Sequence, residues 1–190
     1  EKERAIEEFL RVGIVAPTSI LRASAEYDAA TYLLELKRWP QMIAVLTDFR
    51  KHYPKHELRH TLPAKLALGY RETEQWELAA AELKTMYKNA DPGKEKQNTL
   101  YLIAELYDKA ENKEQALLSY RLYANTYAGP ASDYMEAANR LAVLYKETKQ
   151  PLKRRFWLEK QMKTVDRSPK DADDRMLYLA ASASAVFAND

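Results

Sequence analysis

A short stretch with two histidines and a glutamate matches a catalytic motif. Residues 56–60 read His-Glu-Leu-Arg-His, which fits the H-E-x-x-H pattern of zinc metallopeptidases. In that chemistry two histidines, four residues apart on one turn of an α-helix, bind zinc, and the glutamate between them activates a water molecule. The stretch therefore defines one candidate function, a zinc peptidase site at His56, Glu57 and His60.

The neighbouring prolines place this stretch outside a regular helix. Pro54 is expected to end the preceding helix, and Pro63 is tolerated only in the first turn of the next one. The remaining histidine, His52, lies on the far side of Pro54, and no histidine follows His60 to act as a third ligand. We interpret the three histidines as solvated side chains near a linker, and we predict no catalytic residue and no metal site. The zinc peptidase is kept as the alternative.

The composition excludes several other classes of site. The chain of 190 residues has no cysteine, so it has neither disulfides nor thiolate metal sites. Lys and Arg number 30 against 28 Asp and Glu, a balance that does not indicate nucleic acid as a partner. No apolar run approaches the roughly 20 residues that a membrane helix needs, and no glycine-rich phosphate loop occurs. We predict a non-enzymatic protein without a cofactor, a nucleic-acid partner or a membrane-inserted segment.

One basic stripe has both a functional and a structural explanation. It could contact an anionic partner or membrane head groups. Because Glu159 and Asp166 interrupt it, we interpret it as the solvated outer face of a helix. The stripe consists of Lys153, Lys160, Lys163 and Arg167, with Arg154 and Arg155 beside them.

The apolar residues recur in a pattern that indicates an array of helix hairpins. Between Leu100 and Tyr127 they define two amphipathic helices joined at residues 111–113. The same template occurs about 37 residues earlier, again about 37 residues before that, and about 38 residues later. No run of alternating β-branched residues interrupts it. We predict an all-α fold, an α-solenoid of antiparallel helix hairpins with a period of about 37 residues.

Proline and glycine turn signals divide the chain into repeats. Asp91-Pro92-Gly93, Gly129-Pro130 and Ser168-Pro169 each close a hairpin. We predict a single domain, residues 1–190, that is a fragment of a longer array. It contains a half repeat, four hairpins, of which the first begins with Thr18 or Ser19 as N-cap, and a last helix without a partner. The predicted units are residues 1–17, 18–54, 55–93, 94–130, 131–169 and 170–190.

The hairpin template resembles the tetratricopeptide repeat. Helix A of that repeat carries a small residue three before a tyrosine, and helix B carries an alanine and a large residue four later; Ala104 and Tyr107, then Ala116 and Tyr120, match it. The resemblance implies a right-handed solenoid that binds another protein. Helix endings such as Tyr53-Pro54 look most similar to bacterial cell-envelope members, the outer-membrane assembly lipoprotein and the Tol-Pal-associated proteins. This implies a periplasmic or outer-membrane-associated location, with the cytoplasm as the alternative.

The resemblance also identifies a concave surface lined by the first helix of each hairpin. Its exposed aromatic, apolar and charged residues suit an extended peptide or a partner helix. The alternatives are a solvated groove without a ligand and a structural spacer within a larger repeat protein, and the ends of the array offer apolar faces for self-association. The predicted partner-binding residues are Tyr27, Thr31, Leu34, Leu68, Arg71, Tyr101, Glu105, Asp108, Asn139, Arg140 and Lys146.

One hairpin departs from the template. Arg154 stands where the template has a small residue, so we expect the helix after Pro151 to be rotated about its axis. The residues predicted to pack are then Leu152, Phe156, Leu158 and Met162.

Overall fold

The computed structural model describes residues 1–167 and 169–189, and all regular secondary structure within them is helical. The all-α class predicted from the sequence is confirmed. No helix in these ranges combines the length and apolarity needed to cross a membrane. The α-helices are α1 (Lys2–Val15), α2 (Arg22–Glu35), α3 (Trp39–His52), α4 (Leu62–Glu72), α5 (Trp76–Asn89), α6 (Lys94–Lys109), α7 (Lys113–Thr126), α8 (Ala131–Glu147), α9 (Pro151–Arg167) and α10 (Asp174–Asn189), and the short 3₁₀ helices are Glu57–Thr61 and Pro169–Asp171.

Four hairpins turn through the same backbone geometry. In each turn, one residue after the first helix adopts a left-handed conformation. The N–H groups of this residue and of the next residue donate to carbonyls near the end of the helix, which is the pattern of a Schellman cap. In the third turn Glu111 N–H donates to the carbonyl of Asp108 and Asn112 N–H to that of Tyr107, both at 3.0 Å. The left-handed residues are Lys37 (φ 55°), Glu74 (φ 57°), Glu111 (φ 57°) and Lys149 (φ 56°).

The chain divides into two compact units, unit 1 (Glu1–Asn89) and unit 2 (Ala90–Asp190). Within each unit, consecutive helices pack against one another. The single domain predicted from the sequence, with its repeat boundaries, stays a prediction. Ser168, half of the turn signal predicted to close the fourth hairpin, lies outside the described residues.

Small residues in unit 1 allow its helices to approach closely. Ala30 of α2 is fully buried. Gly69 of α4 lies so close to α3 that a Cβ atom there would be 2.4 Å from Met42 Cε. Met42, Leu46 and Phe49 of α3 recur at the three- and four-residue steps of an amphipathic helix, and all three are fully buried. The template therefore identifies the buried face of α3 correctly.

In unit 2 the helix α10 packs against the hairpin that precedes it. α10 packs on both α9 and α8. Met176 and Leu179 of α10 join Met135 of α8 and Val165 of α9 in one buried cluster. The contacts are those expected of the first helix of a following hairpin, which packs on the hairpin before it.

The helix α9 keeps the register of the repeat, and the predicted rotation is wrong. Leu152 is 84% exposed and Phe156 is 51% exposed. Arg154 is half-buried at the small-residue position, because a long side chain can pack its stem and extend its guanidinium outward. The buried residues of α9 are Trp157, Leu158, Gln161 and Val165.

The start of α2 also differs from the prediction. The helix begins at Arg22, three or four residues after the proposed N-cap at Thr18 or Ser19. Ser19 Oγ accepts from Leu21 N–H at 3.2 Å, and Ser19 N–H donates to the carbonyl of Ala16. The serine therefore forms a local turn, which competes with helix capping.

Candidate functional site

The histidine motif adopts a geometry unsuited to zinc peptidase chemistry. Glu57–Thr61 is a 3₁₀ helix, and His56 precedes it with Nδ1 accepting from Leu58 N–H at 3.2 Å. His60 Nδ1 lies 2.5 Å from the carbonyl oxygen of Glu57. A 3₁₀ helix has about three residues per turn, so residues four apart do not share a face. Among the residues that the structure describes, no group of three or more histidine, cysteine or carboxylate side chains is placed to hold a metal ion.

In unit 1, Tyr27 of α2 is held by contacts on two sides. Its hydroxyl lies 2.8 Å from Thr61 Oγ1, within hydrogen-bond distance, and its ring centroid is 6.0 Å from that of Phe49. Lys65 Nζ lies 5.3 Å from the ring centroid, a cation–π distance. Tyr27 is half-buried. The expectation of an exposed aromatic at this position is wrong, because the ring packs on α3 and its hydroxyl bonds to the residue that ends the 3₁₀ helix.

The other residues predicted in unit 1 range from packed to fully accessible. Thr31 Oγ1 donates to the carbonyl of Tyr27 at 3.1 Å. Leu34 packs against the core of unit 1, and Leu68 is half-buried. Arg71 is exposed at the end of α4. Most of this predicted set therefore contributes to packing, and Arg71 is the member available to a partner.

In unit 2, Tyr101 of α6 belongs to an aromatic cluster. Its ring makes edge contacts with Tyr120 and Tyr123 of α7, at centroid distances of 5.8 Å and 5.1 Å. Burial raises the pKa of Tyr101 above its ordinary value, and the carboxylate of Glu105 adds to the increase. Like Tyr27, Tyr101 is half-buried rather than exposed. The cluster fixes α6 against α7.

An ion pair joins α6 and α8, two first helices of unit 2. Arg140 Nη2 of α8 donates to Asp108 Oδ1 of α6 at 2.6 Å, and Arg140 Nε donates to Asp108 Oδ2. Hydrogen bonding to Asp108 raises the pKa of Arg140. Glu105, Lys109 and Tyr120 line the same cleft, which has a volume of about 310 Å³. Three predicted residues, Glu105, Asp108 and Arg140, are thus brought together.

Asn139 and Lys146 line a second cavity of about 170 Å³, formed by α8, α9 and α10. Gln161 of α9 also lines it, and its Nε2 is buried without a hydrogen-bond partner. Arg154 completes the set of nitrogen-bearing side chains, and the remaining wall is largely apolar. The cavity therefore presents N–H donors against an apolar background, an arrangement that suits a carbonyl or carboxylate oxygen.

Sequence reasoning missed the contribution of the second helix to this cavity. It assigned the surface to first helices only, which gave Asn139 and Lys146 but not Gln161. One signal that the second helix contributes a polar side chain was Arg154, which stands at a position where the repeat has a small residue. We interpreted this residue as evidence for a rotated helix. A polar residue at a buried repeat position, such as Gln161, is the second signal.

Comparison with known proteins gives matches only at the level of structure. No family model and no curated sequence matches this chain. A solved structure of a putative kinesin light chain from Podosopora anserina, described as having nearly identical TPR-like repeats, matches with a TM-score of 0.52 at 14% identity, covering 98% of this chain and 88% of that chain. The fold is TPR-like.

Two further structures support this assignment. A point variant of the same Podosopora anserina protein matches with a TM-score of 0.50 at 15% identity, covering 89% of each chain. BtubC (BKLC) from P. vanneervenii matches with a TM-score of 0.50 at 13% identity, covering 96% of this chain and 80% of that chain. At these identities the likeness concerns the fold alone, and it confirms the TPR-like repeat predicted from the sequence.

Proposed function

We propose that the chain is a non-enzymatic scaffold that binds a peptide or a partner protein. The binding surface in unit 2, which we call the first-helix surface, consists of Glu105, Asp108, Asn139, Arg140 and Lys146, with Gln161 at its floor. The TPR-like fold supports this proposal, since repeats of this kind present rows of side chains on stacked helices. In unit 1 the predicted residue available to a partner is Arg71, while Tyr27, Thr31, Leu34 and Leu68 are partly buried.

The observation that carries the proposal is the partnerless Nε2 of Gln161 in the cavity of unit 2. A buried N–H group without a partner costs about 1–3 kcal/mol. A peptide carbonyl or carboxylate inserted between α8 and α10 would remove this cost. Lys146 is exposed at the same cavity and supplies positive charge for the same oxygen.

The ion pair of Asp108 and Arg140 supports the proposal in a second way. It fixes α6 relative to α8 before any ligand arrives. A preorganised surface loses little conformational entropy on binding, so a larger share of the contact energy remains as affinity.

The test is a selection of random peptides displayed on phage against the whole chain. Selected peptides should bind wild type at least tenfold more tightly than the double variant Glu105→Lys with Lys146→Glu. This pair of changes leaves the net charge unchanged. The control exchanges two charges elsewhere in unit 2, Lys94→Glu with Glu114→Lys, both exposed. Peptides that bind all three proteins equally would overturn the assignment, and so would a selection that enriches nothing.

We propose a cell-envelope location on the resemblance of the helix endings alone, with the cytoplasm as the alternative. Fractionation of cells that express the full-length protein tests it. Recovery in the periplasmic or outer-membrane fraction supports the proposal, and recovery with cytoplasmic markers contradicts it. A structural spacer, the alternative to a scaffold, predicts no peptide ligand in the selection.

A further inference from the structure

Three clefts occupy the same place in the repeat. Each lies between the end of one second helix, the segment that begins the next hairpin, and the following second helix. In unit 1 one cleft, of about 300 Å³, is formed by α1, α2 and α3, and another, of about 700 Å³, by α3, the 3₁₀ helix and α5. In unit 2 the equivalent cleft, of about 420 Å³, is formed mainly by α7, α8 and α9. We call this last one the α7–α9 cleft.

The two clefts of unit 1 contain ion pairs formed within the chain. Arg22 Nε lies 2.7 Å from Glu26 Oε1 in the first cleft. Arg50 Nη2 lies 2.8 Å from Glu82 Oε1 in the second cleft. Both glutamates are buried. A cation in each of these clefts is thus already neutralised by a buried carboxylate.

The α7–α9 cleft lacks this compensation. Its cations are Lys160, Lys163 and Arg167, and the carboxylate that lines it with them is Asp171. The repeat period places Trp157 at the position that Glu82 holds in unit 1, so the buried acid is replaced by an apolar residue. The α7–α9 cleft is therefore lined by three cations and one carboxylate, whereas the larger cleft of unit 1 is lined by three cations, Arg50, Lys55 and Arg59, and two carboxylates, Glu57 and Glu82.

The contacts of the three cations leave their charge available. Lys160 Nζ lies 5.3 Å from the ring centroid of Phe156, and Lys163 Nζ lies 3.5 Å from Glu159 Oε2 in an exposed pair. Exposed pairs of this kind contribute little energy and exchange easily with another carboxylate. Within the described part of the chain, Arg167 forms no ion pair with a carboxylate.

Neutral hydrogen-bonding groups line the cleft beside the cations. Tyr134 of α8 is half-buried, and burial raises the pKa of its phenol, an increase that the charge of Arg167 partly opposes. Thr164 Oγ1 donates to the carbonyl of Lys160 at 2.8 Å. The exposed amide of Asn125 faces the same space. Because the Thr164 proton is already donated, the Tyr134 hydroxyl and the Asn125 amide are the neutral donors that can orient a carboxylate attracted by the cations.

We propose that the α7–α9 cleft binds an acidic segment of a partner protein, with carboxylates bonded to Lys160, Lys163, Arg167 and the Tyr134 hydroxyl. The charge is confined to a concave space whose size accommodates a few side chains. A membrane surface would instead require cations projecting from an open face, and nucleic acid would require a longer basic track. The proposal concerns the outer, second-helix side of the hairpins and is independent of the first-helix surface.

The test measures fluorescence anisotropy of a labelled twelve-residue peptide of alternating Glu and Ser, with a Gln and Ser peptide as the neutral reference. Wild type should bind the acidic peptide at 50 mM salt and bind it at least tenfold more weakly at 500 mM, because salt screens exposed charge. Lys160→Glu with Arg167→Glu should weaken binding at least tenfold at low salt.

The matched control is Lys153→Glu with Lys94→Glu, which changes the net charge equally at exposed residues of unit 2 outside the cleft. It should retain affinity within twofold, and circular dichroism should show equal helix content in all three proteins. An equal loss in both double variants would overturn the proposal, because net charge alone would then drive binding. No binding by wild type would also overturn it, as would tighter binding of wild type to phosphatidylserine vesicles than to the peptide.

Discussion

Arg140 and Asp108 bridge α8 and α6 through two hydrogen bonds, one from Nη2 to Oδ1 at 2.6 Å and one from Nε to Oδ2. The aspartate side chain is 13% exposed and the arginine side chain 36%. The pair is therefore intermediate between surface pairs, which contribute little, and buried pairs, whose disruption is costly. It is a direct polar link between α6 and α8 on the surface proposed to bind a partner.

Breaking this pair should destabilise the protein. Asp108→Ala and Arg140→Ala should each lower the free energy of unfolding by about 1–2 kcal/mol, because each leaves a partly buried charge without its partner. Urea unfolding of both single variants and the double variant gives the coupling energy. Additive effects of the two substitutions would contradict a direct interaction.

The close approach of α4 to α3 predicts that Gly69→Ala is destabilising. The new Cβ would lie 2.4 Å from Met42 Cε and 2.9 Å from Ile43 Cγ1, and such overpacking costs about 1–3 kcal/mol. Helix propensity alone favours alanine over glycine by about 1 kcal/mol. The two effects have opposite signs, so a rise in the melting temperature of Gly69→Ala would show that the helices are not in contact here.

The buried amide of Gln161 predicts a gain in stability and a loss of binding from one substitution. Gln161→Met keeps a similar shape and removes the partnerless donor, so the free energy of unfolding should rise by about 1 kcal/mol. Peptides selected on the first-helix surface should bind this variant more weakly. A stability loss of the same size would indicate that the amide is already satisfied, and unchanged peptide affinity would remove it from the binding surface.

The tyrosine cluster of unit 2 predicts unfolding at alkaline pH. Burial raises the pKa of Tyr101, Tyr120 and Tyr123 above 10.0 in the folded state, so the unfolded state loses these protons first as the pH rises. Their contribution to stability is complete below about pH 10 and is lost above it.

Spectrophotometric titration tests this prediction. Some of the 13 tyrosines should ionise near pH 10, and the rest should ionise together with the loss of helical circular dichroism. Tyr101→Phe with Tyr120→Phe should move unfolding to higher pH. A single titration of all phenols with the helices intact would contradict the burial of the cluster.

The elements marked by strong local signals were predictable from the sequence. The helix α5 ends at Asn89, directly before the Asp91-Pro92-Gly93 turn signal identified in the sequence. The start of α2 was missed, because serine and threonine favour local turns as well as N-caps. Leu152 and Phe156 were assigned to the core, since their hydrophobicity suggested burial, whereas the repeat register exposes them.

The candidate site was predictable in its position and not in its contacts. Repeat spacing placed Asp108 and Arg140 on first helices, but no pattern within one helix predicts a bond between two helices. Repeat spacing also could not show that the Tyr101 ring contacts the rings of Tyr120 and Tyr123. Repeat spacing predicts which helix and face a residue occupies, and the identity of its partner depends on packing between helices.

The left-handed turn residues occur at positions 37, 74, 111 and 149, so their spacing is 37, 37 and 38 residues. All four are charged residues and none is glycine. Backbone hydrogen bonds to carbonyls of the preceding helix stabilise their left-handed conformation. The chain could therefore be cut and rejoined at any of these turns with the same local backbone conformation. Excising residues 75–111 would remove α5 and α6 and join Glu74 to Asn112. Recombination between these turns would therefore change the array by one repeat length and pair the first helix of one hairpin, α4, with the second helix of the next, α7.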